Sequence, residues 1–325
     1  MLHTRICDLL GIDFPIINAP MSRTANAELA TAVSKAGAFG MIGSGLDLEP
    51  SWLLEQIQAV REKTDKPFGV GFISSGSGIE KVIEAALDAK VAAVSHSFAD
   101  PTPFIRQAEG SGVKVFAQVQ TMANARRAVE AGADIIIAQG SEAGGHTSYL
   151  GTLPFVRAVV KIAGDIPVVA AGGIADGHGL AAALMLGAEG AWIGTRFVAS
   201  LEWGGMEWEK GQIILADVDD TILTSVYDLV TDLPFPLDIV GDRVVANSFT
   251  DTWHGRETEM MARQSELRED IATASAAGDA TTAPVRAGTA SGLIRSIEPA
   301  SYIIREIVSQ AEDILRNRPQ KLLGG

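Results

Sequence analysis

The feature of this 325-residue chain that most constrains its fold is an alternation, repeated eight times, of helical and short apolar segments. The apolar segments have five or six residues and are rich in Val, Ile and Ala, as strands buried on both faces are. They cover residues 15–19, 38–43, 67–72, 91–95, 113–118, 134–138, 166–170 and 190–194. Strands that alternate with helices pair in parallel, and eight parallel strands close into a barrel. The sequence therefore predicts an α/β protein, a (β/α)8 TIM barrel.

The main alternative is an open, doubly wound sheet. Such sheets more often have five to seven strands, and those that bind dinucleotides carry Gly-x-Gly-x-x-Gly after the first strand. Here the first predicted strand leads into Ala19-Pro20-Met21, so that fingerprint is absent. The barrel is the better prediction.

The alternation stops after Phe197. Residues 201–295 contain an acidic run, a pair of prolines and an amphipathic pattern near 257–272, and they predict a lid inserted after the eighth strand. Trp203, Met206 and Trp208 also make this segment a candidate homodimer face. An amphipathic helix over 299–315 follows, so we expect a barrel made of residues 1–200 and 296–318, with a lid of residues 201–295.

Composition excludes several classes of function. The net charge of −14 and the pI near 4.8 argue against nucleic acid or an anionic membrane as a partner, because both require clustered Lys and Arg. The sequence has no apolar run that predicts a membrane span or a secretory signal, so we expect a cytoplasmic protein. Cys7 is the single cysteine and no histidine–carboxylate motif has metal-ligand spacing, so we expect no metal.

Two loops of small residues follow the seventh and eighth predicted strands, where barrels commonly bind phosphate. The first contains Ala171, Gly172 and Gly173, and the second contains Gly194 and Thr195. Glycines let backbone N–H groups approach an anion closely, so these loops predict a phosphate site, although Gly-Gly also fits a simple turn.

Other strand ends add Met21 and two amide side chains, Gln118 and Gln139. An apolar mouth with a few amides suits a flat, uncharged ring such as a flavin, because amides both donate to and accept from its polar edge.

His146 follows the sixth predicted strand, in Gly144-Gly145-His146, and we expect it at the same mouth of the barrel. Imidazole is the side chain best suited to exchanging a proton near neutral pH, so His146 is the catalytic candidate. His96 follows the fourth predicted strand and is the second candidate.

Together these motifs resemble those of the nitronate monooxygenases, formerly called 2-nitropropane dioxygenases, which are FMN-dependent TIM barrels. The resemblance spans nearly the whole chain, and its most specific parts are Asn18-Ala19-Pro20-Met21, Glu142-Ala143-Gly144-Gly145-His146, Ala171-Gly172-Gly173 and Gly194-Thr195-Arg196-Phe197. It implies oxidation of alkyl nitronates with O2, and it makes His146 the residue that acts as a base toward a nitroalkane or holds the nitronate.

The resemblance also implies roles for the remaining residues toward FMN. Ala19 and Met21 would line the flavin ring, which Gln118 and Gln139 would contact at the ring or the ribityl chain. Gly144 and Gly145 would pass close to the cofactor. Ala171 ends the strand that leads into the phosphate site. Gly172, Gly173, Gly194 and Thr195 would bind the phosphate.

One position departs from the family pattern, since Gly71 stands where family members often have an asparagine that bonds the flavin. The same motifs also resemble NAD(P)H-dependent flavin enoyl-acyl-carrier-protein reductases and quinone reductases. A barrel that only binds a phosphorylated ligand is the non-enzyme alternative.

Overall fold

The computed structural model describes residues 2–46, 49–76 and 78–324. The strands are β1 (Ile16–Asn18), β2 (Gly40–Gly43), β3 (Phe68–Ile73), β4 (Ala93–Ser97), β5 (Lys114–Val119), β6 (Ile135–Gln139), β7 (Gly145–Ser148), β8 (Val168–Ala171), β9 (Gly190–Ile193), β10 (Thr221–Thr224) and β11 (Val240–Val245). Eight of them form one parallel sheet in the order β1-β9-β8-β6-β5-β4-β3-β2, and a parallel bridge between Ile17 and Phe39 joins its two edges. The predicted TIM barrel is confirmed.

The helices are α1 (Arg5–Leu10), α2 (Ala27–Lys35), α3 (Pro50–Arg61), α4 (Glu80–Asp88), α5 (Thr102–Ala108), α6 (Met122–Ala131), α7 (Thr152–Ile162), α8 (Gly177–Met185), α9 (Thr195–Val198), α10 (Glu207–Leu215), α11 (Val226–Thr231), α12 (Ser248–Trp253), α13 (Glu257–Met261), α14 (Gln264–Ala277) and α15 (Ala300–Leu323), with a 3-10 helix at Thr289–Leu293. Side-chain caps begin several of them: Asn26, Thr121 and Asp176 accept N–H groups of the first turns of α2, α6 and α8. None of the helices in the described residues is both long and apolar enough to cross a bilayer.

Two apolar layers lie on either side of the barrel sheet. Residues that alternate along the strands, among them Phe39, Met41 and Phe116, fill the barrel interior, and their neighbours pack under the surrounding helices. Because both faces are buried, the strands are nearly continuous apolar runs, which is why they could be located in the sequence.

The last helix is longer than predicted. α15 packs against α8 and α2, as expected of an outer barrel helix, but it extends to Leu323 rather than ending at residue 315. Beyond Leu315 the helix is largely exposed and is supported by i,i+4 contacts such as that between Arg316 and Glu312. An exposed helix end carries no apolar periodicity, so the pattern missed it.

A second, antiparallel sheet has the strand order β10-β11-β7. The glycine segment that ends in Gly144-Gly145-His146 was expected to be a loop, but from Gly145 onward it is strand β7, which pairs with β11 and places His146 opposite Asp242. Gly-His-Thr-Ser has no apolar alternation, and its partner strand follows about 95 positions later in the chain. The sheet therefore joins the inserted segment to the end of the sixth barrel strand.

Within the insertion, the helix expected over 257–272 is two helices, α13 and α14, because Arg263 between them leaves the helical conformation at φ −117°. The apolar cluster expected at the surface is mostly buried: Trp203 is 7% exposed and Trp208 packs on the barrel core, while Met206 is 55% exposed. A homodimer stays a prediction that this cluster no longer supports.

Candidate active site

One cavity of about 540 Å3 lies at the carboxyl ends of the barrel strands, beside the start of β7. This volume is within the range of roughly 300–1,000 Å3 typical of small-molecule sites. The residues that the sequence singled out for a cofactor or for catalysis, except the second catalytic candidate His96, all line it: Ala19, Met21, Gln118, Gln139, Gly144, Gly145, His146, Ala171, Gly172, Gly173, Gly194 and Thr195. The topology thus brings residues from the ends of five barrel strands, and from the start of β7, into one site.

The loops after β8 and β9 form a cradle of backbone. Gly172 and Gly173 have φ of 105° and 76°, a region that side chains rarely adopt. A Cβ on Gly172 would lie 2.8 Å from the carbonyl oxygen of Gly140, so the close approach also requires glycine. The hydroxyl of Thr195 accepts the N–H of Gly288 at 3.0 Å, which leaves its own proton for an anion. These features fit the phosphate of a cofactor.

Pro20, Gly71 and Trp203 form another part of the cavity wall. A Cβ on Gly71 would lie 2.2 Å from Cγ of Pro20, so the asparagine that the family resemblance led us to look for could not fit beside this proline. The indole N–H of Trp203, a cavity residue, is buried without a hydrogen-bond partner among the described residues. An unpaired buried donor of this kind fits a ligand that supplies an acceptor.

Three glutamines connect the barrel to the strand that carries the candidate base. Gln118 and Gln120 each donate to Oε1 of Gln139 at 2.9 Å. Because Oε1 accepts both bonds, the amide nitrogen of Gln139 points toward β7, where it donates to the carbonyl of His146 at 3.1 Å. The three amides fix the position of the His146 backbone relative to the sheet.

The imidazole of His146 is held on two sides. Its Nε2 lies 2.8 Å from Oδ1 of Asp228, a fully buried carboxylate on α11, and its ring stacks on Phe235 with centroids 3.3 Å apart. Phe98 contacts the same two rings edge-on. Phe98 has φ of 66°, which is uncommon for a bulky residue and occurs mainly where the surroundings enforce it. His146 is therefore a candidate base that is oriented by a carboxylate and flanked by aromatic rings.

A second buried carboxylate lies beside this pair. Asp242 is fully buried, and its two oxygens lie 3.2 Å from Nε and 2.9 Å from Nη2 of Arg286. One donor atom each from His146, Asp228 and Asp242 lie within 4.8 Å of one another, a spacing that could also hold a cation. The guanidinium of Arg286 pairs with Asp242, so these three donor atoms belong to a network of hydrogen bonds and ion pairs.

His96 does not lie at the mouth, and the expectation that it faces the site is wrong. It belongs to β4, and the inward positions of that strand are taken by Ala93 and its alternate neighbours. The ring is stacked between Phe72 and Phe104 and bonds Ser74 at 3.0 Å. Burial lowers the pKa of His96 to about 3, so the ring is neutral and structural.

Among the polar or aromatic residues of the site that sequence reasoning missed are Gln120, Asp228, Phe235, Asp242 and Arg286. Four of them lie in the insertion. The eightfold repeat does not extend into this segment, so it could not predict where these residues lie. The single usable signal was in the aspartates, which occur in otherwise apolar strand-like or helical segments. A charged residue in such a segment is buried only when it has a partner.

Comparison with known proteins identifies the family. The nitronate monooxygenase family matches this chain over residues 3–77 and 72–310. The chain belongs to the nitronate monooxygenase family. A nitronate monooxygenase of Neurospora crassa is 32% identical over 93% of this chain and 90% of its own. A nitroalkane oxidase of Streptomyces ansochromogenes has a TM-score of 0.81 at 27% identity, covering 95% and 98% of the two chains. This family member is therefore an oxidoreductase of a flavoprotein family.

Other relatives carry different names. FabK from Thermotoga maritima has a TM-score of 0.88 at 36% identity and covers 100% of this chain and 99% of its own. A (3aS,4S,5R,7aS)-5-hydroxy-7a-methyl-1-oxo-octahydro-1H-indene-4-carboxyl-CoA dehydrogenase of Mycobacterium tuberculosis is 34% identical over 70% of this chain and 64% of its own. Family membership thus leaves more than one substrate class open.

Proposed function

We propose that the protein is an FMN-dependent nitronate monooxygenase that oxidises alkyl nitronates with O2. The observation that carries the proposal is the His146–Asp228 pair, which lies in the same cavity as the glycine cradle. A base, a phosphate cradle and an apolar wall are the parts that this reaction needs in one place.

Gly172, Gly173, Gly194 and Thr195 would hold the phosphate of FMN, and Ala19, Met21 and Gln118 would line its ring. When bound, FMN supplies the redox chemistry by accepting electrons from the substrate and passing them to O2. The chain itself orients the substrate, excludes water and moves a proton.

His146 moves that proton. When its Nε2–H donates to Asp228, the lone pair of Nδ1 is left to take the α-proton of a nitroalkane, which becomes the nitronate anion. The imidazolium that forms is stabilised by the Asp228 carboxylate. Phe235 and Phe98 keep water from the ring, which strengthens that interaction. A nitronate supplied as such needs no proton removal, and the same ring holds it.

A second candidate is an NAD(P)H-dependent oxidoreductase that acts on a thioester. The name of the Mycobacterium tuberculosis relative specifies a CoA thioester, and the likeness to FabK extends over the whole chain. In this reaction the His146–Asp228 pair would supply or remove a proton next to the thioester carbonyl.

Anaerobic rapid mixing of FMN-loaded protein with propionate 3-nitronate or ethylnitronate, and separately with NADH and NADPH, tests the proposal. We expect the nitronates to bleach the flavin absorbance quickly and the pyridine nucleotides to leave it unchanged on the same timescale. Fast bleaching by NADH or NADPH, without bleaching by nitronates, would favour the second candidate. Protein that retains no FMN after desalting would contradict both.

A further inference from the structure

Arg286 lines the cavity and forms an ion pair with Asp242. Asp242 is the residue opposite the candidate base His146 in the second sheet. The side chain of Arg286 is 40% exposed and is part of the cavity wall, and its backbone forms a bridge with Val244 of β11. The stem of Arg286 passes Gly145, where an added Cβ would be 3.6 Å from Cδ of the arginine. The guanidinium is therefore placed by the sheet that carries His146.

Asp242 fixes the orientation of this guanidinium. Nε–H of Arg286 donates to Oδ1 of Asp242 at 3.2 Å, and Nη2 lies 2.9 Å from Oδ2 in the same ion pair, so the carboxylate holds one side of the guanidinium. A guanidinium has five N–H donors, and this one hydrogen bond leaves the donors of its amino groups for a ligand. Because the guanidinium is already oriented, it loses little side-chain conformational entropy when it binds a ligand.

Charge favours the same role. Burial opposes the cationic form of Arg286, but the carboxylates of Asp242 and Asp228 outweigh it and raise the pKa of the guanidinium. Glu209, a third carboxylate of the cavity wall, also interacts with it electrostatically, and burial raises the pKa of Glu209. Arg286 is the fixed positive charge that balances these acids beside His146.

We propose that Arg286 binds the oxyanion of the reacting substrate, which is the nitronate if the function proposed above is correct. Loss of a proton from a nitroalkane places negative charge on two oxygens of a flat O–N–O group. An arginine fork matches that geometry as it matches a carboxylate. The guanidinium and the imidazolium formed by proton transfer balance Asp228 and Asp242, which would otherwise repel the anion.

Nitrate tests this role without turnover, because it is a flat oxyanion with no proton to lose. Arg286→Gln alone would leave Asp242 buried and unpaired and could unfold the protein. The informative comparison is therefore Asp242→Asn against the double variant Asp242→Asn with Arg286→Gln, both FMN-loaded, with calorimetry of nitrate binding. Arg263→Gln serves as the control, because it also replaces one arginine by glutamine, but at an exposed position at the start of α14.

We expect the Kd of nitrate to rise by about tenfold or more from Asp242→Asn to the double variant, as for a lost charge-assisted hydrogen bond, and Arg263→Gln to bind as the wild type does. The KM for ethylnitronate should rise in parallel, with little change for neutral nitroethane. Wild type that fails to bind nitrate, or equal nitrate binding by the two variants, overturns the assignment. If nitronates are not turned over at all, the proposed function fails, and the nitrate comparison still decides the role of Arg286.

Discussion

At the scale of single residues, the decisive contact joins Nε2 of His146 to Asp228. The histidine could be predicted, because it follows a buried strand and a glycine pair in the sequence. The aspartate could not, since it lies 82 positions later in the chain, in a segment with no regular pattern. Its one local signal is a charge in an otherwise apolar segment, which predicts that the residue has a partner but does not identify that partner.

Asp228→Asn should separate the two tasks of His146. An asparagine can still contact the ring, but it carries no charge to stabilise the imidazolium, so kcat with a neutral nitroalkane should fall by about 10²-fold. Turnover of a supplied nitronate should fall less than tenfold, as no proton is removed. Steady-state kinetics with both substrates measure the difference.

The control for that experiment is Asp238→Asn, which removes an exposed carboxylate from the same segment. We expect it to leave both rates and the FMN content unchanged. Equal losses with nitroalkane and nitronate in Asp228→Asn would show that the carboxylate does not act through proton transfer.

At the scale of elements, the site depends on where loops follow strands. The cradle after β8 and β9 was predictable from small residues at the positions that barrels use for phosphate. The strand β7 was not, because Thr147 and Ser148 are polar yet fully buried, and their burial comes from pairing with a distant strand. Buried polar strands are recognisable only once their partner is known.

Gly172→Ala tests the cradle. The change forces a side chain into φ of 105° and toward the carbonyl of Gly140, so the loop must shift away from the phosphate. We expect the Kd for FMN, measured by quenching of flavin fluorescence, to rise by at least about tenfold, as when hydrogen bonds to a charged group are lost.

Gly164→Ala is the matched control, since Gly164 also has a positive φ of 60° and an added Cβ there would meet nothing within 4 Å. It does not line the cavity. This variant should lower the Tm with unchanged FMN affinity. If Gly164→Ala weakens FMN binding as much as Gly172→Ala does, the effect is general backbone strain and the cradle assignment is wrong.

At the scale of the whole molecule, the barrel was predictable because both faces of its strands are buried and apolar. For the insertion, the sequence predicted the bounds of the segment but not its fold. Its helices and sheet are defined by contacts with each other, such as the cluster of Tyr227, Phe249 and Trp253. The stability of the whole fold also depends on a histidine that the reaction does not use.

His96 should make the folded protein sensitive to acid. Burial lowers its pKa to about 3, so below the ordinary value of about 6.5 the unfolded chain binds a proton that the folded chain does not. The free energy of unfolding is unaffected above pH 6.5 and should fall by about 1.4 kcal/mol per pH unit below it, until about pH 3.

Urea unfolding at pH 7.5 and pH 5 of the wild type and of His96→Gln measures this contribution. The glutamine can keep a hydrogen bond to Ser74 but does not titrate, so it should lose about 2 kcal/mol less than the wild type between these two conditions. An identical loss in both proteins would mean that other groups account for the acid sensitivity.

The separation of His146 from Asp228 along the chain has a consequence for how the protein is made. A ribosome completes all eight barrel strands before it reaches Asp228, and it reaches Arg286 later still. A nascent chain that has emerged as far as the barrel would thus hold the cradle and the histidine but neither the carboxylate nor the guanidinium. We therefore expect incomplete products to bind a flavin more readily than they consume a substrate.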